Sequence, residues 1–223
     1  MLSLAGLSPL RIEAYRKLAP EDGLAAELRR LEALDQAPSA EPLPETLLLW
    51  ESPTVCAVLP RGGSPADHLC RPAEPGLPVL RRVSGGGSVL LGPGCLNYAF
   101  ALSLERRPEL LDVAASYQAI LGALAALLAL EGVSARGSDL TWGDRKFAGH
   151  AQRRTRRGLL HHGTLLYGFD LNLVSQTLRE PARQPPYRAG RRHEDFLTNA
   201  PASLDALLAG LTRLAGRLTA ERE

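Results

Sequence analysis

The sequence predicts an α+β protein with mixed, largely antiparallel sheets flanked by helices. Three observations carry that prediction. Short apolar runs are separated by Gly, Pro and Ser. A few longer segments have helical spacing. The two kinds do not alternate strictly, as a doubly wound parallel sheet would require.

The elements follow in order. Glu21 to Ala37 carries Leu24, Leu28, Leu31 and Leu34 at three- and four-residue spacing, which predicts a helix. A Pro-rich linker, APSAEPLPE, comes next. Thr46–Trp50, Val55–Leu59, Val79–Val83, Ser88–Leu91 and Asn97–Leu104 read as strands joined by loops. Pro108 to Leu130 reads as a well-buried helix, with Pro near its start and Gly132 after its end. Asp139–Trp142 and Lys146–Arg154 read as strands joined across Gly143-Asp144, followed by a strand over Leu159–Tyr167. Asp170 caps a short helix to about Leu178, and Ser203 caps a final helix to about Thr219.

Composition narrows the function classes. The chain has 223 residues, 45% hydrophobic and 22% charged, as expected of a globular protein. A net charge of +2 gives no argument for nucleic acid or membrane. The longest apolar run, Ala119 to Leu130, falls short of the ~20 residues a membrane helix needs. The N-terminus has no basic segment leading into an apolar one, so no signal peptide is expected. Three cysteines, Cys56, Cys70 and Cys95, suit free thiols in a reducing cytoplasm. No Cys/His spacing resembles a zinc site. Of 26 Lys plus Arg, only Lys17 and Lys146 are lysine. Lysine is a compact charge on a flexible stem, and arginine a planar fork. A lysine kept among so many arginines is a candidate for chemistry.

Four segments carry that chemistry. In Arg81-Arg82-Val83-Ser84-Gly85-Gly86-Gly87-Ser88-Val89, three glycines after a strand let the backbone approach a ligand and point N–H groups at an anion. The two arginines are suited to a phosphate or carboxylate. No Gly-Lys-Ser/Thr follows, so this is not a P-loop. In Gly143 to Gln152, Lys146 stands where a turn meets a strand, and Gly149 inside that strand marks a bulge or a close backbone approach. In Leu160-His161-His162-Gly163-Thr164, adjacent strand residues face opposite sides, so one histidine at most enters a given site. Pro185 to Asn199 reads as an ordered loop that covers a site or meets a partner.

Taken together, RRVSGGGSV, GDRKFAGHAQRR and LLHHGTLLYGFDL resemble the biotin/lipoate protein ligase superfamily, most closely its lipoate–protein ligase A type. The similarity runs from about Thr46 to Leu173. A shorter stretch, QPPYR with HEDFLTN, is similar to a subgroup of bacterial relatives. The resemblance implies a class II aminoacyl-tRNA synthetase/biotin ligase-like catalytic domain. It implies activation of lipoate or octanoate with ATP and Mg²⁺ to an acyl-adenylate. The acyl group then passes to a lysine of a lipoyl carrier domain, such as an E2 subunit or the glycine-cleavage H protein. Lys146 is implied as the catalytic cation. Arg82, Ser84, Gly85, Gly86, Gly87, Val89, Asp139, Gly149, His150, Ala151, His162, Gly163 and Thr164 are implied to bind substrate or adenylate, and Asp139 also to hold Mg²⁺.

The sequence departs from the family pattern at three points. Leu91 stands where many members have His after the glycine loop. The expected organisation is one catalytic domain over 1–223 without the C-terminal accessory domain of the longer ligases, which makes an accessory subunit a candidate partner. No Cys occurs in SARGSDL or after the HHG strand, where ATP-independent octanoyl or lipoyl transferases place a nucleophile. Cys95 reads as a small buried residue. The alternatives are therefore an ATP-independent transferase and a non-catalytic protein that binds lipoate or its carrier.

Overall fold

The computed structural model describes residues 10–37, 45–70 and 76–220. The expected Pro-rich linker lies outside these residues apart from its ends. Eleven strands are described: β1 (Arg11–Ile12), β2 (Arg16–Lys17), β3 (Thr46–Glu51), β4 (Cys56–Leu59), β5 (Val79–Arg81), β6 (Val89–Leu91), β7 (Cys95–Ser103), β8 (Val133–Arg136), β9 (Asp139–Trp142), β10 (Arg145–Arg154) and β11 (Gly158–Leu166). The helices are α1 (Pro20–Gln36), α2 (Pro65–His68), α3 (Val113–Leu128), α4 (Asn172–Thr177), α5 (His193–Phe196) and α6 (Leu204–Ala220).

The larger sheet runs β1-β3-β7-β11-β10-β9-β8, with β2 also paired to β3; the smaller runs β5-β4-β6. The long central pairs are antiparallel, and parallel pairing is confined to β1 and β2 on β3, to β4 with β5 and to a single bridge between Lys146 and Leu197. The mixed, largely antiparallel α+β architecture expected from the sequence is the one observed. No helix among the described residues is long and apolar enough to cross a membrane.

Period-two alternation sorts the central strands into two cores. Leu47, Leu49, Leu96, Tyr98 and Phe100 join the core that holds α3 and α6. Leu48, Trp50, Ala99 and Leu160 join the core beneath α1 and the smaller sheet. At one end of β3, Arg107 Nε and Nη2 donate to the two oxygens of Glu45, and Ser103 N donates to Oε1, all of it buried. Pairing both carboxylate oxygens with the guanidinium avoids the cost of a lone buried charge, although Arg107 Nη1 has no hydrogen-bond partner.

The helices differ from expectation in three respects. The predicted helix from Pro108 is a 3-10 turn over Pro108–Leu110 followed by α3, because the Asp112 side chain accepts from Ala115 N at 2.7 Å and caps a new start. The helix ends at Ala129, in the left-handed region at φ 52, ahead of Gly132. In α1 the buried stripe is Gly23, Ala26, Glu27, Leu31 and Leu34, so a charged residue occupies an inward position. Three short strands, β1, β2 and β8, also escape sequence reading. Two or four residues are too few to show alternation.

Candidate functional site

Two cavities meet at the C-terminal side of the glycine loop. The inner one, about 170 Å³, is lined by Leu24, Trp50, Val58 and Leu91 together with Glu27, Arg82, Asn97 and His162. The outer one, about 870 Å³, is lined by Arg136, Arg179, Arg183 and Pro185 and by the apolar Phe147, Leu166, Phe169 and Phe196. Both share Gly86, Gly87, Ser88, Val89, Ser138, Asp139, Lys146, Gly149 and Thr164. Ala151 and Gly163 line the inner cavity. Most of the residues singled out in the sequence therefore converge, although they come from four strands and a loop.

The glycine loop is folded around Arg82. Its Nη2 donates to Gly85 O at 2.5 Å and Gly87 O at 2.7 Å, and its Nε donates to Ser84 Oγ at 2.9 Å. Nη1 is buried with no hydrogen-bond partner. Gly86 has φ +97, and a Cβ there would stand 3.1 Å from Nη2, so both conformation and space call for glycine. Burial lowers the Arg82 pKa to about 10, the Glu27 carboxylate opposes that shift, and the guanidinium is charged at neutral pH. Arg81 points elsewhere, donating to Pro60 O and Gly63 O, so one arginine of the pair serves the site.

Ser84 and Gly85 do not line either of these cavities. Ser84 is buried, and its Oγ lies 2.6 Å from His162 Nε2. His162 Nδ1 lies 2.5 Å from Glu27 Oε2, and Trp50 Nε1 donates to Glu27 Oε1 at 3.0 Å. With the proton of a neutral imidazole assigned to Nδ1 by its carboxylate neighbour, donation runs one way from Arg82 through Ser84 and His162 to Glu27. Gly85 faces a third cleft, lined by Arg61, Arg153, Arg154 and Tyr117.

Lys146 stands at the junction of the two cavities. Its Nζ is 2.8 Å from Asp139 Oδ1, with side-chain exposures of 28% and 7%. Asp139 Oδ2 accepts from Tyr187 OH at 2.6 Å. The pairing of β10 with β9 shifts register between Lys146 and Ala148, and Phe147 is the extra residue. The bulge thus lies two residues before Gly149. Gly149 serves close approach instead: a Cβ there would stand 2.8 Å from Lys146 Nζ, so the lysine folds back across a bare backbone.

His161 and His162 face opposite sides, as alternation requires. His161 Nε2 lies 3.4 Å from Tyr98 OH, and Gln152 Nε2 lies 3.1 Å from His161 Nδ1. His150 is opposite Gly163, and the His150 ring stacks on His161 with centroids 5.5 Å apart. That places the His150 ring on the α3 side of the sheet, while the residue itself still lines the inner cavity. Alternation along β10 sends the ring away from the face that carries His162. A Cβ on Gly163 would stand 2.0 Å from that ring, so Gly163 makes room for it. His150 N and Nδ1 both bond Ser138 O at 2.9 Å, and so hold the residue before Asp139. Burial lowers the His150 pKa to about 4.

The expected Mg²⁺ role of Asp139 meets two neighbours, since Oδ1 is paired with Lys146 and Oδ2 with Tyr187. Among the described residues no three His, Cys, Asp or Glu converge to hold a metal. Cys56 and Cys95 are buried, and burial raises the Cys56 thiol to about 12 and Cys95 well above its ordinary value. Cys70 is exposed and lines neither cavity.

Sequence reading missed Glu27, Trp50, Asn97 and Tyr187 as site residues. Glu27 left one signal, a carboxylate on the apolar track four residues before Leu31. Trp50, Asn97 and Tyr187 left none that spacing reveals.

Known proteins share this fold. A structure of lipoate-protein ligase A bound with ATP superposes with a TM-score of 0.73 at 16% identity, covering 95% of this chain and 85% of that one. Ta0514 from T. acidophilum, with bound lipoic acid, gives 0.71 at 16% identity over 95% and 86%. A bi-partite lipoate protein ligase, solved with its E2 lipoyl domain from Thermoplasma acidophilum, gives 0.72 at 16% identity over 96% and 84%. At these identities the likeness shows the fold. The family sequence pattern of the lipoyl protein ligase A/B catalytic domain matches residues 20–208, from the start of α1 into α6, and the chain belongs to that family.

Proposed function

We propose that this chain activates lipoate or octanoate with ATP to an acyl-adenylate and transfers the acyl group to a lysine of a lipoyl carrier domain. It acts in the cytoplasm as a single catalytic domain, with a separate accessory subunit as a candidate partner. The observation that carries this reading is the position of Lys146, where a partly apolar inner cavity meets a larger outer cavity bearing arginines. The inner cavity suits an apolar acyl chain, and the outer one a nucleotide. The ammonium then faces the seam where carboxylate and α-phosphate react.

The chemistry needs a cation there. Negative charge grows at phosphorus during activation and at the acyl carbonyl oxygen during transfer. A preorganised donor aimed at both stabilises each step, and such a donor typically contributes ~10²–10³ in rate. Lysine suits the task because its point charge can follow the reacting oxygens, whereas a guanidinium fork fixes one geometry. The unpartnered Nη1 of Arg82 and the Gly86-Gly87 backbone fit an anion beside it. Mg²⁺ enters with ATP as part of the substrate. Related structures with ATP, with lipoic acid and with an E2 lipoyl domain support the same reading.

A thiol-dependent transferase is less well supported, because no cysteine lines either cavity. The purified chain with ATP, Mg²⁺, lipoate and an apo lipoyl domain is expected to add one lipoyl group to the carrier, read by intact mass. Full activity from an octanoyl-carrier donor with none from that mixture would overturn the ligase reading. Transfer from synthetic lipoyl-adenylate without activation would assign activation to the accessory subunit.

A further inference from the structure

The loop that begins QPPYR lines the outer cavity, yet one of its side chains reaches the reacting end. Tyr187 OH donates to Asp139 Oδ2 at 2.6 Å, and Asp139 Oδ1 holds Lys146 Nζ at 2.8 Å. The Tyr187 ring is itself clamped. Its centroid is 5.3 Å from that of Phe196, the Arg136 guanidinium carbon lies 5.4 Å from it, and Arg191 Nη2 donates to Tyr187 O. Arg191 in turn bonds Asp144, in the turn that precedes Lys146. The loop is therefore tied to the Lys146 strand at both the side chain and the turn.

We propose that Tyr187 is a positioning residue for Lys146, acting through Asp139. A free carboxylate can rotate and offer a lysine either oxygen or both. With Oδ2 held by the phenol, Asp139 offers Oδ1 alone, and Lys146 is kept at the cavity junction. The same hydrogen bond draws off part of the carboxylate's charge, so Lys146 can leave Asp139 for an arriving anion. The phenol stays a donor because burial and the Asp139 charge both raise its pKa. This inference rests on the reading that Lys146 faces the reacting carboxyl.

Tyr187→Phe tests it, since the ring and its packing are kept and only the hydroxyl is lost. Two quantities are compared with the wild-type chain. One is kcat and the lipoate KM of adenylate formation. The other is the rate at which a lysine-directed acylating reagent modifies Lys146 relative to Lys17, the only other lysine. A loss of up to ~10²-fold in kcat is expected with the KM little changed, since misplacing a reacting group by about 1 Å can cost that much. Labelling of Lys146 is expected to rise severalfold against Lys17. Unchanged labelling overturns the proposal whatever the kinetics show, and so does unchanged kcat. A purely structural role would lower thermal stability and leave the labelling ratio of the folded protein alone. If the wild-type chain neither forms adenylate nor transfers from synthetic lipoyl-adenylate, the ligase reading fails by itself, and the labelling ratio still decides whether Tyr187 holds Lys146.

Discussion

At the inner end of the site, Glu27, His162, Ser84 and Arg82 are buried and bonded to one another, whereas at the rim Lys146 is 28% exposed and held by a single carboxylate. The inner group connects α1, a central strand and the glycine loop, so no member can move without unsatisfying a neighbour. The rim is a bulged strand, a glycine and a long flexible side chain. Under the proposed function, the difference separates two tasks. A wall that recognises a ligand gains from being fixed in advance, because ordering costs are then not met on binding. A cation that serves two successive steps must move.

The largest expected effect falls on the rim. Lys146→Arg keeps the charge and should keep the fold, with a melting temperature near wild type, but should lose ~10²–10³ in carrier lipoylation. Near-normal turnover would make the rim as insensitive to side-chain shape as any solvated surface.

The next effect falls on the inner group and should read out as stability. Glu27→Ala leaves the Trp50 indole N–H and the His162 Nδ1–H without their acceptor. Each unsatisfied buried donor costs about 1–3 kcal/mol. Urea unfolding should show a loss of at least this size, while the same assay on Lys146→Arg shows little change. Equal stability losses in the two variants would erase the contrast.

The smallest effect comes from the sheet beneath both regions. Burial lowers the pKa of His150 to about 4, and that of His161 moves the same way. As pH falls, the unfolded chain takes up these protons first, near the ordinary histidine value of about 6.5. The folded chain resists until pH ~4. A depressed pKa therefore gives stability that is complete above ~6.5 and lost as pH falls towards ~4. The urea midpoint should drop across this window, and His150→Gln should shallow the slope. A flat profile in the wild-type chain would mean that the rim strand tolerates charge beneath it.

How far the site was legible depends on where its chemistry sits in the chain. Arg82, Gly86, Gly87, Lys146 and Thr164 were legible because unusual residue types cluster in short segments. The opposite facing of His161 and His162 was legible because strand period is local. The direction of the His150 ring was not, because which face of β10 meets the cavity depends on where α1 and α3 pack. Glu27 lies over 100 residues from His162 in sequence, and Tyr187 lies 48 from Asp139. No local pattern announces either pair.

By itself the sequence determined the α+β class, most of the long strands and helices, and the residue types able to handle an anion at a lysine. These follow from backbone period, capping and turn chemistry, which act over a few residues. Tertiary structure alone decided which groups meet. It turned Glu27 inward to satisfy Trp50 and His162, stacked the His150 ring on His161, and gave Asp139 to Lys146 and Tyr187. Buried polar groups must find partners wherever the packed elements bring them, and those partners are chosen by the fold as a whole.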